Sequence, residues 1–310
     1  MTGFPGFIAS RLLERLADPD VFAYLLVQPA FVEKAMAEIE RIVASSDMPI
    51  ENFALIEGDI TKPNLGISEE DLQIVRTEVT DIFHLAAVYD LAVAKSVAFA
   101  VNLEGTKNVN KFAASVANLA RYNYISTCYV AGKRTGQILE NELEHAAGFR
   151  NHYEETKYLA ELEVGTLKGK LPVTIFRPSV VVGESQTGET AKYDGIAALS
   201  QDNKALGKTI ALADPRPLAT AELFDLIANN LSGKRSMITP PANLVEWFLS
   251  TAISPPITGL PHSGVPYFFI DQTYDTALAD SLLSTHGIAC PPFADYAENL
   301  LEFVKKHPTL

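Results

Sequence analysis

Cysteine is scarce: Cys128 and Cys290 are the only two in 310 residues, and neither stands in a Cys-x-x-Cys pair. Two thiols so far apart do not make a disulfide framework, and a reduced, cytoplasmic setting is the expectation. Positive charge is short as well, with 25 Lys and Arg against 38 Asp and Glu and a net charge of -13. Nucleic acid or an anionic membrane would call for the opposite balance, so neither is expected as the main partner. No stretch approaches roughly 18 consecutive apolar residues, so no membrane span is expected. The N-terminus lacks a basic region followed by an apolar run, so no signal peptide is expected either. The six histidines show no His-Glu-x-x-His spacing, and no Gly-x-Ser-x-Gly elbow is found. Those absences argue against a metal site and a serine hydrolase.

Apolar residues make up 47% of the chain, enough for a sizeable core. Continuous apolar runs occupy Val21–Val27, Phe53–Ile56, Asp81–Leu85, Tyr124–Ser126 and Val173–Phe176. Runs apolar on both faces fit the buried strands of a parallel sheet. Helical stripes lie between them: Ile8, Leu12, Leu13 and Leu16; Val32, Met36, Ile39 and Val43; Val109, Phe112, Ala113 and Val116. Ser68 followed by Asp71 marks a helix start. The alternation predicts an α/β fold, a Rossmann-like doubly wound parallel sheet over residues 1–190. Beyond that the pattern weakens and prolines gather (Pro215, Pro217, Pro240, Pro241, Pro255, Pro256, Pro291, Pro292), with a helix over Ala219 to Asn230. Residues 191–310 are therefore read as a smaller C-terminal substrate lobe.

Thr2-Gly-Phe-Pro-Gly-Phe-Ile-Ala9 opens the first helix. Gly3 and Gly6 would make a tight turn and let the main chain approach a pyrophosphate at a helix N-terminus; Phe4 and Phe7 stand beside them. An ordinary glycine turn would look the same. Such a turn is meant to follow a central strand, yet only Met1 and Thr2 precede Gly3. The first strand is thus expected to be truncated, opening the middle of the sheet.

Tyr153-Glu-Glu-Thr-Lys157 places a phenol and an ammonium on one helical face. The ammonium would favour the phenolate and lower the tyrosine pKa, suiting Tyr153 to donate a proton to a carbonyl. A solvated helix face would read alike. Thr127 closes an apolar run, at the strand end where open α/β sheets bind ligands, although a threonine there also caps turns.

Gly58-Asp59, His84-Leu-Ala-Ala87, Asn102 with Gly105-Thr106, Thr127, Tyr153 with Lys157, and Arg177-Pro178 follow the glycine turn in order. This succession resembles the extended short-chain dehydrogenase/reductase family over residues 2 to 183. The resemblance implies an NAD(P)-dependent oxidoreductase. It implies that Gly3 and Gly6, with Phe4 and Phe7, hold the pyrophosphate. Asp59 and Ile60 would meet the adenine, Ala86 and Ala87 would line the cofactor cleft, and Pro178 would border the nicotinamide. Thr127, Tyr153 and Lys157 would be the catalytic triad, the last two also touching cofactor, and Asn102 would organise a proton relay.

Tyr129-Val-Ala-Gly-Lys-Arg-Thr-Gly136, Phe149 to Lys157, and Val182-Gly-Glu-Ser-Gln-Thr-Gly-Glu-Thr190 are similar to the thioester reductase and fatty acyl-CoA reductase branch. That branch implies an acyl thioester or related carbonyl as the small-molecule partner. It also favours NADP(H) over NAD(H), with neutral Gln28 ending the second strand. A homodimer is left open. Lys192-Tyr-Asp-Gly195 runs directly into Ile196, where a substrate-pocket segment is expected in the family. Two alternatives share the scaffold, a nucleotide-sugar epimerase or dehydratase and a dinucleotide-binding protein without turnover. Leu244, Trp247, Phe248, Tyr267, Phe268 and Phe269 suit an acyl chain better than a diphosphate sugar, unless they are simply the core of the lobe.

Overall fold

The computed structural model describes residues 1–181, 193–233, 242–251, 253, 254, 256 and 262–306. The segment Val182 to Thr190, the Lys192 end of the junction with Ile196, and Pro240, Pro241 and Pro255 lie outside them.

Strands β1 (Ala23–Val27), β2 (Phe53–Glu57), β3 (Asp81–His84), β4 (Arg121–Ile125), β6 (Val173–Pro178) and β7 (Thr209–Leu212) form parallel pairs; β5 (Gly136–Ile138) belongs elsewhere. β1 pairs with β2, and β3-β4-β6-β7 form a four-stranded sheet. Among the described residues the two pieces are joined through Thr2, which bridges Leu26 on one side and His84 on the other. Its N–H donates to the Phe83 carbonyl (2.9 Å), and the Leu26 N–H donates to the Met1 carbonyl (2.9 Å). Met1 and Thr2 thus stitch the sheet at its C-terminal edge. Beneath it lies a small cleft of about 50 Å³ lined by Met1, Tyr24, Leu26, Ile56, Ile82 and Val109, among others. The Met1 ammonium is buried there, donating to the Tyr24 carbonyl (2.6 Å), and burial holds its pKa down at about 5.

Helices cover both faces. On one, α1 (Phe7–Leu16), α7 (Tyr193–Gln201) and α10 (Ala277–Ser284) bury Leu12, Ile196, Leu199, Leu282 and Leu283 against Phe83, Ile125 and Phe176. On the other, α5 (Thr106–Ala113) and α6 (His152–Gly165) bury Val109, Ala113, Ala160 and Val164 against Ile82, Tyr122, Tyr124 and Ile175. This two-sided burial is why the strands read as unbroken apolar runs. The expected start of α3 (Glu69–Glu78) is in place, with the Ser68 hydroxyl accepting from Asp71 N–H (3.1 Å). In α2 (Val32–Ser45) the buried residues are Ala35, Ile39 and Ile42, while Met36 is exposed, so the expected stripe is rotated by about one position. α7 runs unbroken through Gly195 and Ile196.

Among the later described elements, α8 (Thr220–Ser232) fulfils the expected helix, followed by α9 (Ala242–Leu249) and α11 (Phe293–Lys306). β5 pairs in parallel with β8 (Gln272–Tyr274), tying this part of the chain to the loop after β4. Among the described residues, no helix is long and apolar enough to cross a membrane.

Candidate active site

Glycine is required at the first turn. Gly3 has φ +91, and a Cβ there would stand 2.8 Å from the Ala86 nitrogen and 2.9 Å from the Leu85 carbonyl carbon. A Cβ on Gly6 would stand 2.6 Å from the Gly3 carbonyl oxygen. Gly6 is the N-cap of α1, whose first turn opens beside the C-terminal ends of β1 and β3. This narrow main-chain cradle at a helix N-terminus fits an anionic pyrophosphate. Phe7 is exposed at the mouth, whereas Phe4 is buried among Ala9, Leu13 and Leu25. Ile60 likewise turns into the core, where a Cβ on Gly105 would meet it at 2.7 Å. Phe4 and Ile60 are therefore packing side chains, with only their main chain left for a ligand.

Asp59 accepts from the Thr61 N–H (2.9 Å) and hydroxyl (2.8 Å). Burial pushes its pKa up, but these bonds, a bond from Gln28 and the charge of Lys62 outweigh it and hold the carboxyl below its ordinary value. Gln28 thus engages Asp59 rather than merely facing solvent. Ala86 and Ala87 follow β3 and are half-buried.

Asn102 sits in a π-helical stretch, Phe99–Gly105, and is buried. Its carboxamide oxygen accepts from Val88 N–H (2.8 Å), and its nitrogen donates to the Val88 carbonyl (3.1 Å) and the Thr156 hydroxyl (3.0 Å). Both N–H donors are committed to protein, so Asn102 ties the loop after β3 to α6.

α6 carries Tyr153 and Lys157. Asn151 starts it, its side-chain oxygen accepting from Glu154 N–H (3.0 Å). Thr127, at the end of β4, caps the next turn by accepting from Tyr129 N–H (3.2 Å) and also hydrogen-bonds Tyr153. The capping reading of Thr127 is the one the geometry shows. Burial pushes the Tyr153 pKa up to about 12, with the bond from Thr127 opposing it. The expected lowering by Lys157 is not found. The Lys157 ammonium instead donates to the Ile125 carbonyl (2.8 Å) and the Tyr124 hydroxyl (3.0 Å). Burial brings its own pKa down to about 7, against the pull of Glu161. Pro178 ends β6 on the same edge of the sheet.

Sequence reasoning missed the surroundings. Tyr89 stands edge-on to Tyr153, ring centroids 6.0 Å apart. Arg177 donates to Glu161 through Nη2 (2.6 Å) and Nε (2.9 Å), and the Ser126 hydroxyl donates to the same carboxylate. His84 is held neutral, its pKa lowered to about 3 by burial and by the charges of Lys157 and the N-terminus, between the Thr2 (2.8 Å) and Thr106 (3.0 Å) hydroxyls. Helical spacing places Glu161 one turn beyond Lys157, which was the signal available for it. The strand residue Tyr124 carried none, and Arg177 entered only through the Arg177-Pro178 block, with nothing to point to Glu161. Leu244, Trp247 and Phe248 of α9 are exposed rather than core.

The sequence profile of the male sterility protein family, an NAD-binding family, matches residues 1–210. The chain is 28% identical over 218 residues to the fatty acyl-CoA reductase wat of Drosophila melanogaster, covering 59% of this chain and 42% of that protein. It is 24% identical over 301 residues to the probable fatty acyl-CoA reductase 4 of Arabidopsis thaliana, covering 74% and 61%. The chain thus spans about half the length of these relatives. The fold is similar to that of the terminal R domain from the myxalamid PKS-NRPS biosynthetic pathway, with a TM-score of 0.80, 22% identity and coverage of 100% and 90%. It is also similar to yeast methylglyoxal/isovaleraldehyde reductase Gre2, solved with NADPH, with a TM-score of 0.68, 15% identity and coverage of 98% of both chains.

Proposed function

The chain belongs to the male sterility protein family of NAD-binding proteins, and on that premise we propose that it reduces an acyl thioester by hydride transfer, with Tyr153 as the proton donor. One observation carries the proposal. The Thr127 and Tyr153 hydroxyls meet at the C-terminal end of β4, with Lys157 on the same helix face, on the sheet edge that also holds the glycine cradle. The fatty acyl-CoA reductases among its relatives support the substrate class and do not favour the nucleotide-sugar alternative. We read residues 1–190 as the cofactor-binding domain and 191–310 as the substrate lobe, with β7 adding a strand to the sheet and α7 packing against it.

A nicotinamide cofactor, when bound, supplies the hydride. The cradle of Gly3 and Gly6 would hold its pyrophosphate, Asp59 would face its adenine, and Ala86, Ala87 and Pro178 would border it. The reading favours NADP(H), supported by a neutral Gln28 where an acidic side chain would repel a 2′-phosphate. Thr127 and Tyr153 hydrogen-bond the substrate carbonyl oxygen and steady the negative charge that develops on it. As the carbon–sulfur bond breaks, the carbonyl re-forms as an aldehyde and the thiolate leaves, taking a proton to become the thiol. A second hydride would convert the aldehyde to an alcohol, Tyr153 protonating the alkoxide. At that point a Lys157 ammonium offsets the phenolate.

The test is titration with NADPH and NADH by cofactor fluorescence, followed by an acyl-CoA assay monitoring nicotinamide oxidation. Saturable binding and thioester-dependent oxidation support the reading. Binding without turnover would favour the non-catalytic alternative.

A further inference from the structure

We propose that Tyr267, from the C-terminal part of the chain, is a positioning residue that closes the first turn of α6 and so fixes the proton donor; this rests on the reading of Tyr153 given above. Its hydroxyl makes two bonds to that turn. It accepts from Asn151 Nδ2 (2.7 Å) and donates to Glu154 Oε1 (2.6 Å). Asn151 is the N-cap, and its oxygen already holds Glu154 N–H, so the three residues form a closed triangle that ties down the two ends of the turn carrying His152 and Tyr153. Glu154 is fully buried, and its other oxygen accepts from Arg150 N–H (2.8 Å). The oxygen facing Tyr267 also accepts from Arg150 Nη1 at 3.4 Å, so the Tyr267 hydroxyl is the shorter of its two donors and its loss weakens the pairing of a buried carboxylate.

The ring of Tyr267 does separate work. It packs on Tyr129 with centroids 4.6 Å apart, and the Arg150 guanidinium lies 5.9 Å over it. Tyr129 is two residues past Thr127 and donates its N–H to that hydroxyl (3.2 Å). Tyr267 therefore braces both hydroxyl-bearing segments: α6 through its OH, and the turn after β4 through its ring. Burial, then the bond to Glu154, pushes its pKa far up, so it stays a donor. A hydrogen-bonded triangle in helix-cap geometry fixes the first turn, where misplacement by about 1 Å costs on the order of a hundredfold in rate.

Tyr267→Phe keeps the ring contacts and deletes both hydroxyl bonds. The expected result is a fall in kcat of about tenfold with KM for the thioester and the NADPH dissociation constant close to parent values. Amide hydrogen exchange at Glu154 and Glu155 should quicken while the amides of β4 stay protected. Glu154→Gln, which weakens the same acceptor without touching Tyr267, should fall between the two. Parent kcat and parent exchange in Tyr267→Phe overturn the proposal, as does a lower melting temperature with unchanged kcat. If exchange quickens but the parent chain turns over no thioester, the brace stands and the acyl-thioester reading falls.

Discussion

Lys157 donates a 3.0 Å hydrogen bond to the Tyr124 hydroxyl and lies over the same ring, 4.6 Å from its centroid. The ammonium is thereby held against β4 by a residue of the strand itself. An ion so placed has lost its water, which is why its pKa sits near neutrality.

Reduction is expected to slow as pH rises through about 7. Lys157 is charged below its pKa of about 7 and neutral above it, and only the charged form steadies a Tyr153 phenolate. A pH profile of kcat for the parent and for Lys157→Arg checks this, since guanidinium stays charged throughout. A flat parent profile across neutrality would sink the idea.

Stability should rise with pH from the acid range through neutrality into the alkaline range. Three buried cations-in-waiting have folded pKa values below their ordinary ones: His84 at about 3, the Met1 amine at about 5 and Lys157 at about 7. For each, the unfolded chain binds more protons between the folded and the unfolded pKa, so stability climbs across that window and is lost on acidification. Lys157→Met should flatten the upper part of that climb while abolishing turnover. Thermal melts at a series of pH values decide it.

Removing the Tyr153 hydroxyl (Tyr153→Phe) should lower kcat/KM by about 10²- to 10⁴-fold, with a far smaller change in cofactor affinity. Steady-state kinetics beside a fluorescence titration separate the two effects. A variant that keeps parent activity would remove Tyr153 from the chemistry.

Gly3→Ala should abolish cofactor binding before it abolishes folding. The positive φ costs about 1–3 kcal/mol, and the new methyl collides with the Ala86 nitrogen and the Leu85 carbonyl carbon at the floor of the cradle. NADPH titration of the folded variant reads this, and parent affinity would count against the cradle.

The sequence determined the layers, because strands covered on both faces must be apolar throughout while helices must keep a stripe. It determined the cradle, since Gly3 and Gly6 sit where a side chain has no room, and it put Tyr153 beside Lys157 through the helical repeat. Met36 was misplaced because a stripe read from apolar residues alone overlooks a small one such as Ala35, which the tighter side of α2 buries. The tertiary structure decided what Lys157 holds, why Tyr153 is pushed toward about 12 rather than lowered, and that Tyr267 reaches back to Asn151 and Glu154. These depend on partners from β4, β6 and the C-terminal part of the chain, far away in sequence. Desolvation and hydrogen-bond pairing are set by what folding brings together, which no local spacing encodes.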